Sequence, residues 1–444
     1  MRIFKRKIYS DLLEWKRKRD GKSALLIQGA RRIGKSTIAE EFAKNEYESY
    51  IIIDFSKASE EVINLFNDLS DLNFLFFRLQ VIYGVSLKER KSVIILDEIQ
   101  LAPRVRQAIK HLVKDGRYDY IETGSLITLH KKSAEILIPS EETKVEMFPM
   151  DFEEFRWALG DNVTIPLLRQ AFDTLVPLGD AVHRKMMREF RIYMAIGGMP
   201  QAVTAYLDTN DPVTVDDAKR EIISLYKEDF MKLDDTGRAA LFFEAIPSQL
   251  SSGSNRYRVS SVIPKERAER VTSIIRMMGE TMAVNVAYLS SDPNVGLAMT
   301  ADFERFKMYA SDTGLFITLA MMDGGFTDAK IYQKLFADKL SVNLGYVFEN
   351  VVAQILRVRG RKLFYSAFPS EGGKTYYEVD FLITEGQKIT PIEVKSSGYK
   401  THASLDAFCR KYSDRVNKRY LIYTKDLRRE GETVYLPVYL SIFL

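Results

Sequence analysis

Cysteine is almost missing from this chain of 444 residues: Cys409 stands alone, which excludes an intrachain disulfide and any thiolate metal cage. Histidine is scarce as well. His111, His130, His183 and His402 lie far apart and offer no ligand spacing. No uninterrupted apolar run reaches the length of a membrane span and no apolar signal region is present, so a cytoplasmic location without a membrane partner is the expectation. Internal repeats and low-complexity stretches are also lacking. The net charge of +4 is too small to name a partner. Basic residues do gather at Arg2 to Lys7, at Lys16 to Arg19 and between Arg357 and Arg429, as they would along a phosphate backbone or on solvated helix faces.

What is present is the composition of a globular protein, 46% hydrophobic and 28% charged, at a length that predicts about three domains. Residues 1–160 alternate short apolar runs with amphipathic stretches. Ala24 to Gln28, Tyr50 to Phe55, Ser92 to Leu96 and Tyr118 to Glu122 read as buried strands, and the intervening helices imply a parallel sheet. Residues 161–238 have helical periodicity broken at Gly197-Gly198-Met199-Pro200. Residues 240–290 read as short helices, the strongest at Arg267 to Met278, followed by a β-hairpin. The last hundred residues read as a second α/β unit, with a helix at Leu344 to Arg359, several strands and a helix near 403–412.

Gly29-Ala30-Arg31-Arg32-Ile33-Gly34-Lys35-Ser36 follows a strand and opens a helix, the placement a phosphate-binding loop needs. Its glycines let backbone N–H groups turn inward around phosphates, and the helix N-terminus adds positive potential. Residues 29 and 31–37, Thr37 included, are the expected nucleotide cradle. Lys35 would reach the β- and γ-phosphates of ATP, and the Ser36 hydroxyl would ligate Mg²⁺. The strand Ser92 to Leu96 runs into Asp97 and Glu98. Asp97 would hold Mg²⁺ through water and Glu98 would act as general base on the attacking water. Thr123 and Ser125, leaving the next strand, could sense the γ-phosphate or form only a polar turn. Arg104, Arg106 and Arg117 are arginine-finger candidates or plain surface cations.

Near the other end, Glu349 lies on a helix, Glu378-Val379-Asp380 starts a strand, and Glu393-Val394-Lys395 puts Glu393 and Lys395 on one strand face. Carboxylates beside a lysine can hold a divalent metal for phosphodiester hydrolysis. They can equally form a buried ion-pair network, or a site that binds DNA without cutting it.

The ordered set GARRIGKST, ILDEIQLAP, ETGS, FPMDFEEF, GGMP, Ser311-Asp312-Thr313-Gly314-Leu315 and the block Gly345 to Lys395 resembles the prokaryotic AAA-type, STAND-like P-loop ATPases that carry a C-terminal DUF4143-like region. The resemblance implies an α/β fold class with four parts: an AAA+-like parallel-sheet domain (1–160), a helical lid (161–238), a winged-helix module (239–335) and an α/β restriction-endonuclease-like PD-(D/E)xK domain (336–444). It makes Pro200 an adenine contact, against the alternative of a helix break. It assigns Glu349, Asp380 and Glu393 as metal ligands with Lys395 as their catalytic lysine. Arg256, Arg258, Lys265, Arg267, Arg270 and Arg276 could face phosphates in the winged helix. One departure stands out: family members carry a Gly-Arg pair where this chain reads Ile138-Pro139-Ser140-Glu141-Glu142. The expected function is an ATPase, with ATP and Mg²⁺, acting on branched or single-stranded DNA as a possible homo-oligomer. The alternative is a nucleotide-gated signalling switch whose nuclease-like part is inactive and binds a protein.

Overall fold

Five short runs of this chain assemble into a parallel sheet because each is too apolar, or too firmly paired, to stay in water. They are β1 (Ala24–Gln28), β2 (Ser49–Asp54), β3 (Ser92–Asp97), β4 (Asp119–Gly124) and β5 (Glu142–Glu146), in the order β2-β3-β4-β1-β5 with every pairing parallel. The computed structural model describes residues 2–124, 139–264, 268–322, 345–373 and 375–444. These form two compact units, Met1–Phe148 with Glu280–Met282 and Pro149–Gly279 with Ala283–Leu444.

In the first unit alternate strand residues face opposite sides of the sheet. Leu26, Ile51, Ile53, Ile94 and Leu96 join one core with Leu75, Phe76 and Leu79 of the helix Leu72–Tyr83 and Val105, Ile109 and Leu112 of the helix Pro103–Asp115. The helix Lys35–Glu46 packs on the sheet through Ile38, Ala39 and Phe42. Each fully buried leucine or isoleucine contributes about 1.5–3 kcal/mol over exposure. The four expected strands form within a residue or two of their predicted ends. The fifth, β5, has the polar sequence ETKVE and no strongly apolar face, so no hydrophobic pattern announces it. It is held by register with β1, from Ala24 opposite Glu142 to Gln28 opposite Glu146.

The main segment of the first compact unit ends at Phe148. Most of the segment FPMDFEEF belongs to the second unit: Asp151 and Glu154 cap the helix Phe152–Ala158 reciprocally, and Phe152 packs 5.0 Å from the Phe190 ring and 5.5 Å from Tyr193.

The second unit is built on one mixed eight-stranded sheet in the order β12-β13-β11-β10-β9-β8-β6-β7. Its strands are β6 (Val284–Ser290), β7 (Ala301–Ala310), β8 (Leu363–Pro369), β9 (Tyr376–Glu385), β10 (Lys388–Val394), β11 (Arg419–Tyr423), β12 (Arg428–Glu430) and β13 (Thr433–Pro437). The hairpin expected as a free wing does form, as β6–β7. It pairs in parallel with β8, however, Ala287 opposite Leu363, so it is the edge of the C-terminal sheet rather than part of a separate winged-helix domain. One sheet thus runs across the expected parts 239–335 and 336–444, with β6 bonded to β7 on one side and to β8, far along the chain, on the other. The boundary itself falls outside the described residues, as do Lys265 and Arg267. The helix expected at Arg267 to Met278 spans Ala268–Glu280. Among the described residues no helix is long and apolar enough to cross a membrane.

Candidate functional site

Strand order positions the first site. Because β4 lies between β1 and β3, its C-terminal end stands between the loop leaving β1 and the carboxylates ending β3. The loop Gly29–Ser36 turns sharply, with Arg32 (φ 67°) and Gly34 (φ 94°) in the left-handed region; at Gly34 a side chain would be strained. Ile33 is fully buried under the loop, and its carbonyl accepts from Arg6 Nη1 at 2.9 Å while Arg6 Nη2 donates to the Phe148 carbonyl. Arg6 is thus a buried brace of the loop. Its place in a basic stretch gave no hint of this.

The Lys35 ammonium, 7% exposed, donates to the carbonyls of Gly29 (3.0 Å) and Ala30 (2.8 Å). Ser36 Oγ donates to Asp97 Oδ1 at 2.7 Å, and Thr123 Oγ1 donates to the same oxygen. The backbone N–H of Glu98, itself left-handed at φ 55°, points to Thr123 Oγ1. Three elements therefore bring Ser36, Asp97 and Thr123 to one point. The Glu98 carboxylate is held by the amide of Gln100, a buried side chain that sequence reasoning passed over. Arg31 and Thr37 are half-buried and Arg32 is exposed, and Ser125 lies outside the described residues.

Of the arginine-finger candidates, Arg106 is 3% exposed and forms a two-pronged pair with Glu142, both bonds 2.8 Å, so it is a brace between the helix Pro103–Asp115 and β5. Arg117 pairs with Asp115 and lies over the Phe76 ring. Arg104 is exposed. Glu122, on β4, is wholly buried with no hydrogen-bond partner for its carboxyl group among the described residues, and burial followed by repulsion from Glu142 pushes its pKa well up.

Pro200 opens the helix Pro200–Thr209 in the second unit, and the glycines before it are set by packing there. Gly198 N–H donates to Asp312 Oδ2 at 2.6 Å and its carbonyl accepts from Met150. Asp312 Oδ1 also accepts from Leu315 N–H at the start of the helix Thr313–Ala320, so the GGMP and SDTGL motifs are two sides of one joint. A Cβ on Gly198 would sit 1.9 Å from the Met150 carbonyl oxygen. Gly198→Ala is expected to cost about 3 kcal/mol or more, since backbone rather than a side chain must move, and a urea melt would read it. An unchanged midpoint would mean the joint is loose.

The C-terminal carboxylates converge, but not as expected. Carboxylate oxygens of Glu349, Glu378 and Asp380 lie within 4.8 Å of one another. Glu393 is not in the group. It is tied to Lys395 at 2.8 Å and accepts from Leu405 N–H at the start of the helix Ala403–Lys411. Among the described residues the converging set is Glu349, Glu378 and Asp380 around Lys307, with the Glu393–Lys395 pair beside it. On β9 Glu378 and Asp380 are two apart and share a face, and Asp380 accepts from Val394 N–H of β10 at 2.7 Å, beside Glu393, whose charge helps to raise the Asp380 pKa. The Lys307 ammonium bonds Glu349 Oε1 (2.9 Å) and Glu378 Oε1, and Tyr309 donates to the same Glu349 oxygen at 2.6 Å. Lys307 is 5% exposed. Burial alone would lower its pKa, but Glu349, Tyr309 and Glu378 more than reverse this and hold it well above the ordinary value. Burial, then Glu349, pushes Asp380 well up; burial also raises Glu378 against the pull of Lys307. The pattern DFERFK around Lys307 contains no signal that could have placed it here.

Comparison with known proteins finds an AAA domain over residues 21–156, a domain of unknown function (DUF8612) over 187–325 and another (DUF4143) over 344–441. The chain therefore carries an AAA-type P-loop ATPase domain followed by a C-terminal DUF4143 domain. It is 24% identical over 194 residues to the uncharacterized protein MJ1637 of Methanocaldococcus jannaschii, spanning 41% of this chain and 39% of that protein. The chain thus matches well under half the length of this curated relative. Among solved structures it is similar to the Walker-type ATPase of Pyrococcus abyssi (16% identity, 71% of this chain and 96% of that one, TM-score 0.42). It is also similar to the Thermotoga maritima RuvB Holliday junction branch migration motor (10%, 65% and 90%, TM-score 0.30) and to a STAND protein with a tetratricopeptide repeat sensor from Pyrococcus horikoshii (11%, 81% and 50%, TM-score 0.28).

Proposed function

We propose that this chain is an ATPase whose first unit binds and hydrolyses MgATP and whose second unit grips nucleic acid without cutting it. The observation that carries the first part is the meeting of Ser36, Thr123 and Asp97 on one carboxylate oxygen beside the loop of Lys35. Hard oxygen donors from separate chain segments, next to a helix N-terminus, fit Mg²⁺ and the phosphates it accompanies. When bound, the ion neutralises phosphate charge; Ser36 and Asp97 would hold it. Lys35 turns from the Gly29 and Ala30 carbonyls to the β- and γ-phosphates. Backbone N–H groups from Arg31 to Thr37 cradle the phosphates. Glu98 accepts a proton from the attacking water, with Gln100 fixing the carboxylate's direction.

Glu98→Gln keeps the shape of the site and removes the base. ATP turnover is expected to fall on the order of 10²- to 10⁴-fold with ATP affinity retained, measured by phosphate release and by equilibrium binding. Turnover within a few-fold of wild type would sink the assignment.

For the second unit, the observation is that the Lys307 ammonium lies among the carboxylates where a nuclease needs its metal. This favours an ion-pair network over a cutting site, and leaves DNA as a bound partner rather than a substrate. The same observation suits a nucleotide-gated switch that recruits a protein. Binding of single-stranded DNA that weakens steeply with salt separates the two, since only the first predicts it.

A further inference from the structure

The sheet face that carries Lys307 continues outward into a small cavity that the acid cluster does not use. Residues two apart on a strand share a face. Arg305 precedes Lys307 on β7 and Tyr376 precedes Glu378 on β9, while the Tyr365 ring of β8 lies 5.6 Å from the Lys307 ammonium. Arg305, Tyr365 and Tyr376 line a cavity of about 140 Å³ with Leu289, Ala367 and the loop residues Asn255 and Arg256.

Among the described residues the wall of this cavity holds two guanidinium groups and no carboxylate. Arg305 has a long 3.7 Å pair with Asp302, both groups well exposed, and among the described residues Arg256 has no acidic partner. Two like charges around one small space repel by about 1 kcal/mol even in water at close range, and an anion between them removes that cost. The guanidinium fork matches phosphate oxygens in pairs. Tyr376 stands at the rim with 55% of its surface exposed, a flat aromatic face in water beside the two arginines. The volume suits one phosphate group rather than a whole nucleotide, so a base would remain outside, at the rim.

We propose that this cavity seats one backbone phosphate of single-stranded nucleic acid, gripped by Arg256 and Arg305, with the adjoining base stacked on Tyr376. The assignment deepens the reading of the second unit as a nucleic-acid grip and rests on it. A single strand is required because a duplex keeps its bases stacked on one another, out of reach of the tyrosine.

The test is fluorescence anisotropy of a labelled oligo-dT strand titrated with the full chain at low salt, without ATP. The variant Arg256→Ala/Arg305→Ala is expected to bind at least about tenfold more weakly and to flatten the salt slope by about 0.7, the share of one phosphate on a single strand. Tyr376→Ala is expected to weaken binding about five- to tenfold with the slope unchanged, because stacking carries no charge. A duplex of equal length should bind wild type at least about tenfold more weakly than the strand. All three side chains reach solvent, so thermal melts should match wild type and exclude misfolding. If wild type binds the strand and the double arginine variant binds it equally well, this cavity is not the site and the proposal falls alone. If wild type binds no nucleic acid, the grip reading of the second unit falls and takes the proposal with it.

Discussion

Replacing Lys35 by alanine is expected to cut ATP turnover by about 10²- to 10³-fold, the cost of removing one preorganised positive group from a developing phosphoryl charge. Lys35 is fixed by the helix it opens and is buried to 7% exposure, with its ammonium bonded to two carbonyls of its own loop. Those bonds are easily exchanged for phosphate oxygens, which carry full charge. The alanine variant should keep its fold, because Ile33 and the Arg6 brace anchor the loop independently. Steady-state phosphate release with a thermal melt as control measures this. Turnover near wild type in a folded variant would place the chemistry elsewhere in the chain.

The second large effect concerns stability. Lys307→Met removes the buried lysine that bonds Glu349 and Glu378 and leaves the half-buried carboxyl groups of Glu349, Glu378 and Asp380 facing one another, an expected loss of about 3 kcal/mol at pH 8. The pH dependence follows from the directions of the shifts. Glu378 and Asp380 titrate above their ordinary values, so between the unfolded carboxylate range and those raised values the folded chain holds the extra protons, and stability falls as pH rises. Lys307 has the same sign in a higher pH window. Its raised pKa contributes stability that is fully present below the ordinary lysine value and is lost only as pH rises through the raised one. Without it the repulsion is relieved by protonating Glu378 and Asp380, whose pKa values are already raised, so the deficit should shrink at pH 5. Urea midpoints at pH 5 and pH 8 for both proteins decide the matter. An equal loss at the two values would mean that Lys307 acts by packing alone. Mn²⁺ should restore part of the loss in the variant and do little to wild type, since the vacated position is ringed by three carboxylates.

Much of the first site was legible because its signals are local. Gly29 to Ser36 encodes its own turn, Asp97 and Glu98 end an unmistakably apolar strand, and Thr123 ends the next. The misreadings share one cause. Arg106 looked like a surface cation and is a buried brace, because Glu142, its partner, sits on a strand with no apolar pattern. Glu393 and Lys395 matched a short motif, but motif spacing says nothing of which strand faces which. The helix break read at the glycines before Pro200 does form, between Ile196 and Pro200, but the partners of their tight fit, Met150 and Asp312, come from distant segments.

The sequence by itself therefore determined the loop, its strand and helix, and the carboxylate pair, since each depends on backbone conformation and hydrophobic period within a dozen residues. Only the tertiary structure decided that β6 and β7 complete the C-terminal sheet, that Glu378 rather than Glu393 joins Glu349 and Asp380, and that Lys307 supplies their cation. Those outcomes depend on hydrogen bonds and ion pairs between segments far apart in the chain. Such contacts form wherever buried polar groups find partners, and local sequence does not record which partner wins.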